Sequence, residues 1–296
     1  MPTIAVLSMK GGVGKTTLAL GLASAAWNRH WRTLIVDLDP QANASMGVGL
    51  MDPALTVGDA LADGRPGVAA EAIVPSTWGR GTDVLPSEPA VEHRVAEATP
   101  GSEQRLRTVL AGIGHRYELV VIDCPPSLGE MTRNALHAAS QALVVTEPGY
   151  FALRGAQQAV EAIDLVRESS NRTLAAPTIV LNRMRSTVAE HRHRAQELRA
   201  YFDRQVSDVE IPERNAIAQA GGAGMPIHAW DSPAGRELAE RFDTLLDRLF
   251  PGGMRWVRIS IPHLGPHCAR RRTRTFIPRP TSRRPMPAMR FSRAGR

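Results

Sequence analysis

Short apolar runs and longer stretches of helical period alternate along this chain. Runs at 3–8, 33–39, 83–87, 118–123, 142–147, 178–182 and 206–211 predict strands. Segments at about 15–28, 102–115, 129–139, 153–169, 188–203 and 233–249 predict helices. Several strand runs, such as 119-LVVID-123, are apolar with no polar alternation, so both of their faces expect cover. The pattern predicts an α/β fold: a mostly parallel twisted sheet flanked by helices on both faces, with the loops after the strands gathered along one edge. Residues 50–82, rich in Gly, Ala, Pro and Asp, read only as short helices and loops. From 251 onward, seven prolines and no regular period predict a disordered tail. The expected organisation is a domain at 1–250 and a tail at 251–296.

Composition changes this picture in its charge balance. The formal net charge is +7, but residues 251–296 hold 12 arginines and no Asp, Glu or Lys, while residues 1–250 hold 24 basic and 29 acidic side chains. The body has no overall positive balance, so a nucleic-acid site there must be a local patch. The tail reads equally as a DNA-binding extension, incidental sequence or a spacer. Cys124 and Cys268 stand far apart in unlike contexts, which favours a reducing cytoplasm over a disulfide framework or cysteine metal site. No apolar run approaches the roughly 18 residues of a membrane span, and the N-terminus enters 3-TIAVLS-8 without a basic leader.

The junction 8-SMKGGVGKTT-17 follows a predicted strand and opens a predicted helix. Gly11, Gly12 and Gly14 let the backbone curl so that successive N–H groups face phosphate oxygens. Lys15 adds charge for the β- and γ-phosphates, Thr16 a hydroxyl for Mg²⁺, and the helix start a favourable dipole. Asp123, ending a buried strand, supplies a carboxylate to hold Mg²⁺ through water. Asp37 and Asp39 close another buried strand. Asp39 is the better placed to orient an attacking water, and Asp37 either backs the magnesium or is structural. A further lysine, Lys10, stands at the loop entrance, where a phosphate loop asks for none. Lys10 and Lys15 are the only lysines among 36 basic residues. Lysines kept where arginine fills every other basic position imply sites that need a compact, flexible ammonium.

KGGVGKTT, then DLDPQAN, then IDCPPS, in this order and spacing, resembles the ParA/MinD family of deviant Walker A ATPases. Segments 146–163, 181–185 and 211–242 extend the resemblance to about residues 2–250, and DLDPQAN with IPERN places it nearest the ParA/Soj partitioning branch. The resemblance implies a Mg²⁺-dependent ATPase in which two ATP molecules lie between two subunits, each Lys10 reaching the partner's nucleotide. It implies that Gly11, Gly12, Val13, Gly14, Lys15, Thr16 and Thr17 hold the phosphates. Thr16, Asp39 and Asp123 would surround the metal, and Asn182 and Pro212 would lie near the adenine. Residues 39–43 and 123–127 would be switches that report loss of the γ-phosphate.

It implies partners too: a homodimer when ATP is bound, DNA bound without sequence preference, and a ParB-like centromere-binding or adaptor protein that stimulates hydrolysis. The expected location is cytoplasmic, nucleoid-associated when ATP-bound. Arg183, Arg185, Arg192, Arg194, Arg199 and Arg214 cluster in sequence, and Arg183, Arg199 and Arg214 are the foremost candidates for DNA phosphates. Two other readings are a positioning ATPase for a protein cargo and an ATP-dependent metabolic ligase. A membrane-anchored relative would end in a basic amphipathic helix. Here 236–250 places Leu238, Phe242, Leu245, Leu246 and Leu249 on one face, the stripe of a core helix, and no stable membrane insertion is expected.

Overall fold

The computed structural model describes residues 2–91 and 101–250. The elements run β1 (Thr3–Leu7), α1 (Lys15–Asn28), β2 (Thr33–Asp37), α2 (Asn43–Gly47), α3 (Val57–Asp63), β3 (Val74–Pro75), β4 (Thr82–Leu85) and α4 (Arg105–Val109). They continue through β5 (Leu119–Asp123), α5 (Glu130–Ala138), β6 (Gln141–Thr146), α6 (Ala152–Ser169), β7 (Thr178–Leu181), α7 (Ala189–Phe202), α8 (Asn215–Gly222) and α9 (Pro233–Leu249). The strands form one sheet in the order β3-β4-β2-β5-β1-β6-β7, parallel throughout except for β3 against β4. The expected α/β architecture is therefore present.

Every residue of β1, β2 and β5 is buried, which is what continuous apolar strands require. Ile4 and Val6 of β1 face a core shared with α1 and α9, while Ala5 and Leu7 face a second core on the opposite side. The stripe on α9 packs as expected: Leu238, Phe242, Leu245, Leu246 and Leu249 are all buried. Ser232 caps that helix by accepting from the Gly235 amide at 2.9 Å, with Pro233 in its first turn. Glycine in the interior of α1 is explained by the same packing. A Cβ on Gly21 would stand 2.2 Å from the Phe242 ring, so its absence lets the two helices close on each other. Among the described residues no helix is long and apolar enough to cross a membrane.

The structure corrects the expected element list in five places. The run 206–211 is not a strand. Ser207 and Ile211 donate to the Ile179 and Leu181 carbonyls, but between them the Val209 amide turns to the Ser207 hydroxyl at 3.0 Å, so the ladder breaks. The helix expected at 102–115 reduces to α4 and two flanking 3₁₀ turns. Residues 50–82, read as helices and loops, also contain β3, and α2 and α8 are additional helices. The tail expected to be disordered, 251–296, lies outside the described residues, as does Cys268.

Candidate active site

β1 lies between β5 and β6, so its C-terminal loop emerges where the neighbouring strands on either side lead to different parts of the chain. Gly12 and Gly14 take left-handed conformations, φ 78° and 91°, and Gly14 caps α1. No side chain caps this helix and no acid lies in its first turn, so its leading N–H groups remain available to an anion. Lys15 is buried at 6 % exposure, whereas Lys10 is exposed and forms no ion pair among the described residues.

Beneath the loop lie three carboxylates. Thr16 Oγ1 donates to Asp123 Oδ2 at 2.6 Å, and Asp123 Oδ1 is buried with no hydrogen-bond partner. Burial, followed by the charge of Asp37, pushes the Asp123 carboxyl well above the usual range. Asp37 stands opposite Asp123 in the β2–β5 register. Its two oxygens are already engaged. Oδ1 accepts from the Asp39 amide at 3.1 Å, and Oδ2 from the Ser45 amide and hydroxyl at 2.8 and 2.7 Å. Burial raises Asp37 to about 6 despite those Ser45 bonds. Of the two roles left open for it, the structural one fits: Asp37 clamps the loop 38–45 to the strand end. Asp39, 6 % exposed, accepts from the Gln41 amide at 3.0 Å. Within the clamped loop Ala42 sits at φ 52°, a left-handed position for a non-glycine residue.

Two cavities flank the loop. One of about 650 Å³ is walled by Thr16, Thr17, Asn182, Arg183, Pro212 and Met46, among others. It brings Thr16 and Thr17 of the expected phosphate set together with Asn182 and Pro212, while Gly11, Gly12, Val13, Gly14 and Lys15 are not among its lining. The other, about 550 Å³, is lined by Lys10, Glu147, Tyr150, Phe151 and Arg154, with Val13 at its back. The two lysines of one short loop thus belong to different environments: one beneath the loop, one facing outward into a separate cleft.

The three foremost arginines each meet a glutamate. Arg183 pairs with Glu147 at 2.6 Å, Arg199 with Glu210 at 2.6 Å, and Arg214 with Glu237 at 2.8 Å. Arg183 and Arg214 stand at the rim of the larger cavity, and Arg199 lies apart from it on α7. Arg185 pairs with Glu213, and Arg194 with Glu190 and Glu197. Arg192 donates to the Ser186 carbonyl at 2.7 Å. Sequence reasoning missed Ser45, which holds Asp37 and also accepts from the Ser87 amide at 3.2 Å. Its only signal is a small hydroxyl residue soon after the acidic pair. Cys124 is fully buried, and that burial holds its thiol well above the ordinary range.

The Asp123 carboxylate carries a stability cost. An Asp123→Asn substitution keeps an acceptor for Thr16 while removing a buried charge and its repulsion from Asp37. It is expected to stabilise the ligand-free protein by about 1–3 kcal/mol while losing Mg²⁺-dependent hydrolysis. Thermal melts with turnover assays check this, and a lower melting temperature in the variant would refute the account.

Comparison with known proteins agrees with the geometry. An AAA domain family model matches residues 1–176. The chain is 35% identical to the chromosome partitioning protein ParA of Myxococcus xanthus, over 80% of this chain and 88% of that one. It is 32% identical to the sporulation initiation inhibitor protein Soj of Bacillus subtilis, over 77% and 90%. A structure of cobyrinic acid a,c-diamide synthase from Mycobacterium smegmatis with bound ATP analog and magnesium matches at a TM-score of 0.70 and 26% identity, covering 84% of this chain and 95% of that one. With this loop on this sheet, and with relatives that match along most of both lengths, the chain belongs to the ParA/Soj family of partitioning ATPases.

Proposed function

We propose that the protein cycles between an ATP-bound dimer that holds DNA without regard to sequence and an ADP-bound monomer. A ParB-like adaptor on the cargo stimulates the hydrolysis that releases it. The observation that carries this reading is the separation of the two lysines. Lys15 is buried and its charge acts on Asp123 of its own subunit, whereas Lys10 is exposed in a different cleft. A cation in Lys10's position is free to serve a nucleotide held by a second subunit, as an arginine finger does in other phosphoryl-transfer enzymes. Tyr150 and Phe151, 74 % and 69 % exposed, share the Lys10 cleft and offer apolar area for that subunit to cover.

The residues fit Mg²⁺ and a nucleoside triphosphate. The Asp123 Oδ1 beside the Thr16 hydroxyl is a buried carboxyl oxygen lacking a partner, and one carboxylate and one hydroxyl are what a magnesium ion shares with phosphate and water. The ion would neutralise charge building on the phosphate oxygens. The loop N–H groups and Lys15 hold the phosphates in line, and Asp39 orients the water that attacks. Thr16, Thr17, Asn182 and Pro212 line the cavity for the nucleoside. Loss of the γ-phosphate would free the clamped 38–45 loop, which gives the dimer a way to sense hydrolysis.

Arg183, Arg199 and Arg214 are the candidate DNA contacts. Their exposed ion pairs are individually weak, so phosphates can exchange for the glutamates. The test is co-sedimentation with DNA in ATP, ADP and no nucleotide across a salt series. Binding is expected with ATP only, falling steeply with salt, and Arg214→Ala should weaken it uniformly across sequences and lower the log–log salt slope by about 1. Binding in every nucleotide state, or in none, would overturn the cycle. Repeating the series without residues 251–296 separates the tail from the body: an unchanged affinity assigns DNA binding to the body alone.

A further inference from the structure

We propose that Asn182 is a positioning residue for the phosphate loop, gripping it from the wall of the nucleoside cavity. The proposal rests on the phosphate-loop reading above and adds a role to it. Asn182 continues β7 by one residue, and its amide donates to the Thr146 carbonyl at 2.8 Å, which fixes its backbone in line with the β6–β7 ladder. Its side chain is 2 % exposed. The amide Nδ2 donates to the Val13 carbonyl at 2.7 Å, a bond between residues 169 positions apart. The amide also lies flush against the loop's last glycine: a Cβ on Gly14 would stand 2.1 Å from Nδ2. Gly14 at φ 91° is therefore required twice, by its backbone conformation and by the amide beside it.

The consequence lies in how the loop is held. Val13 is pinned by its side chain in the α1 core and by its carbonyl on Asn182. The peptide planes on either side of it carry N–H groups meant for phosphate. A residue that faces the base cavity therefore also sets the orientation of the phosphate cradle. The segment after it keeps that aim by an unusual turn, since Arg183 takes φ 53°. A residue that only recognised the base would have no need of the Val13 bond, and its loss would leave phosphate affinity untouched.

Inorganic tripolyphosphate with Mg²⁺ separates the two roles, because it carries the phosphates and no base. Calorimetric titration of the full chain with ATP and with tripolyphosphate is compared for wild type, Asn182→Ala and Asn182→Asp. Both variants remove the donor to Val13, and Asp sets a second acceptor against that carbonyl. Tripolyphosphate affinity is expected to fall about tenfold or more in Asn182→Ala and further in Asn182→Asp, since the Val13 carbonyl loses the Asn182 donor. Amide exchange across residues 10–16 should quicken in both. Tripolyphosphate binding equal to wild type in the variants, with only ATP weakened, would make Asn182 a base contact and overturn the proposal. Thermal melts keep the test valid: if Asn182→Ala does not fold, Asn182→Leu, which is uncharged, near in shape and also lacks the donor, decides in its place. A wild-type protein that binds neither ligand would instead defeat the phosphate-loop reading itself.

Discussion

Lys15→Ala is expected to lower ATP turnover by about two to three orders of magnitude, the effect of removing one preorganised cation or donor from a charge-developing centre. The loss has two sources. Lys15 is buried at the foot of the loop, where on the proposed reading its ammonium would act on phosphate across little water. Its charge also opposes the burial that pushes the Asp123 carboxyl upward. Without it the Asp123 carboxyl rises further, and less of it is ionised to meet Mg²⁺. The variant should therefore need more magnesium as well as turning over more slowly. Lys15→Arg should not rescue, because a planar guanidinium has no room in a position 6 % exposed. Phosphate release measured across a magnesium series checks both parts. A variant whose turnover stays within a few-fold of wild type would remove Lys15 from the chemistry.

Much of this site could be read along the chain, because its pieces are local. Strand, glycines, Lys15 and helix are consecutive, and Asp123 closes an apolar run that could only be a buried strand. What escaped the sequence depends on contacts between distant segments. The chain ranks Asp39 ahead of Asp37 for water but leaves Asp37 two roles, and only the fold, by setting Ser45 against Asp37, selects the structural one. The glutamates that meet Arg183, Arg199 and Arg214 lie 36, 11 and 23 positions away, so no local charge pattern announces them. α8 escaped for an energetic reason. Its NAIAQAGG sequence is too short to hold a helix alone and ends in two glycines, and burial of Ala216 and Ala220 against the core holds it. The run at 206–211 failed oppositely: its three β-branched apolar residues suit a strand, but the Ser207 hydroxyl captures an amide that the ladder needed.

Lys10→Ala is expected to abolish ATP-driven dimerisation while leaving nucleotide binding to the single subunit intact. Turnover should fall about 10³-fold or more, as when an in-trans cation is withdrawn from a phosphoryl-transfer site. The structure gives the reason for dissociating the two effects: Lys10 is exposed and lines the cleft of Tyr150 and Phe151, away from the cavity of Thr16, Thr17 and Asn182. Sedimentation with ATP and with ADP reads the dimer, and calorimetry reads the single site. A mixture of variants then decides whether the lysine acts on its own subunit or on the partner. Lys10→Ala and Lys15→Ala are each expected to be nearly inactive alone. In a mixed dimer the Lys10→Ala subunit keeps its Lys15 and receives the other subunit's Lys10, so one of two sites is complete. Random two-fold pairing then restores at most about a quarter of wild-type turnover. If Lys10 served its own subunit's nucleotide, no site in the mixture would contain both lysines, and activity would stay absent. Dimerisation of Lys10→Ala with ATP at wild-type strength would refute the trans role outright, because the surplus lysine would then be only a solvated charge at the mouth of the loop.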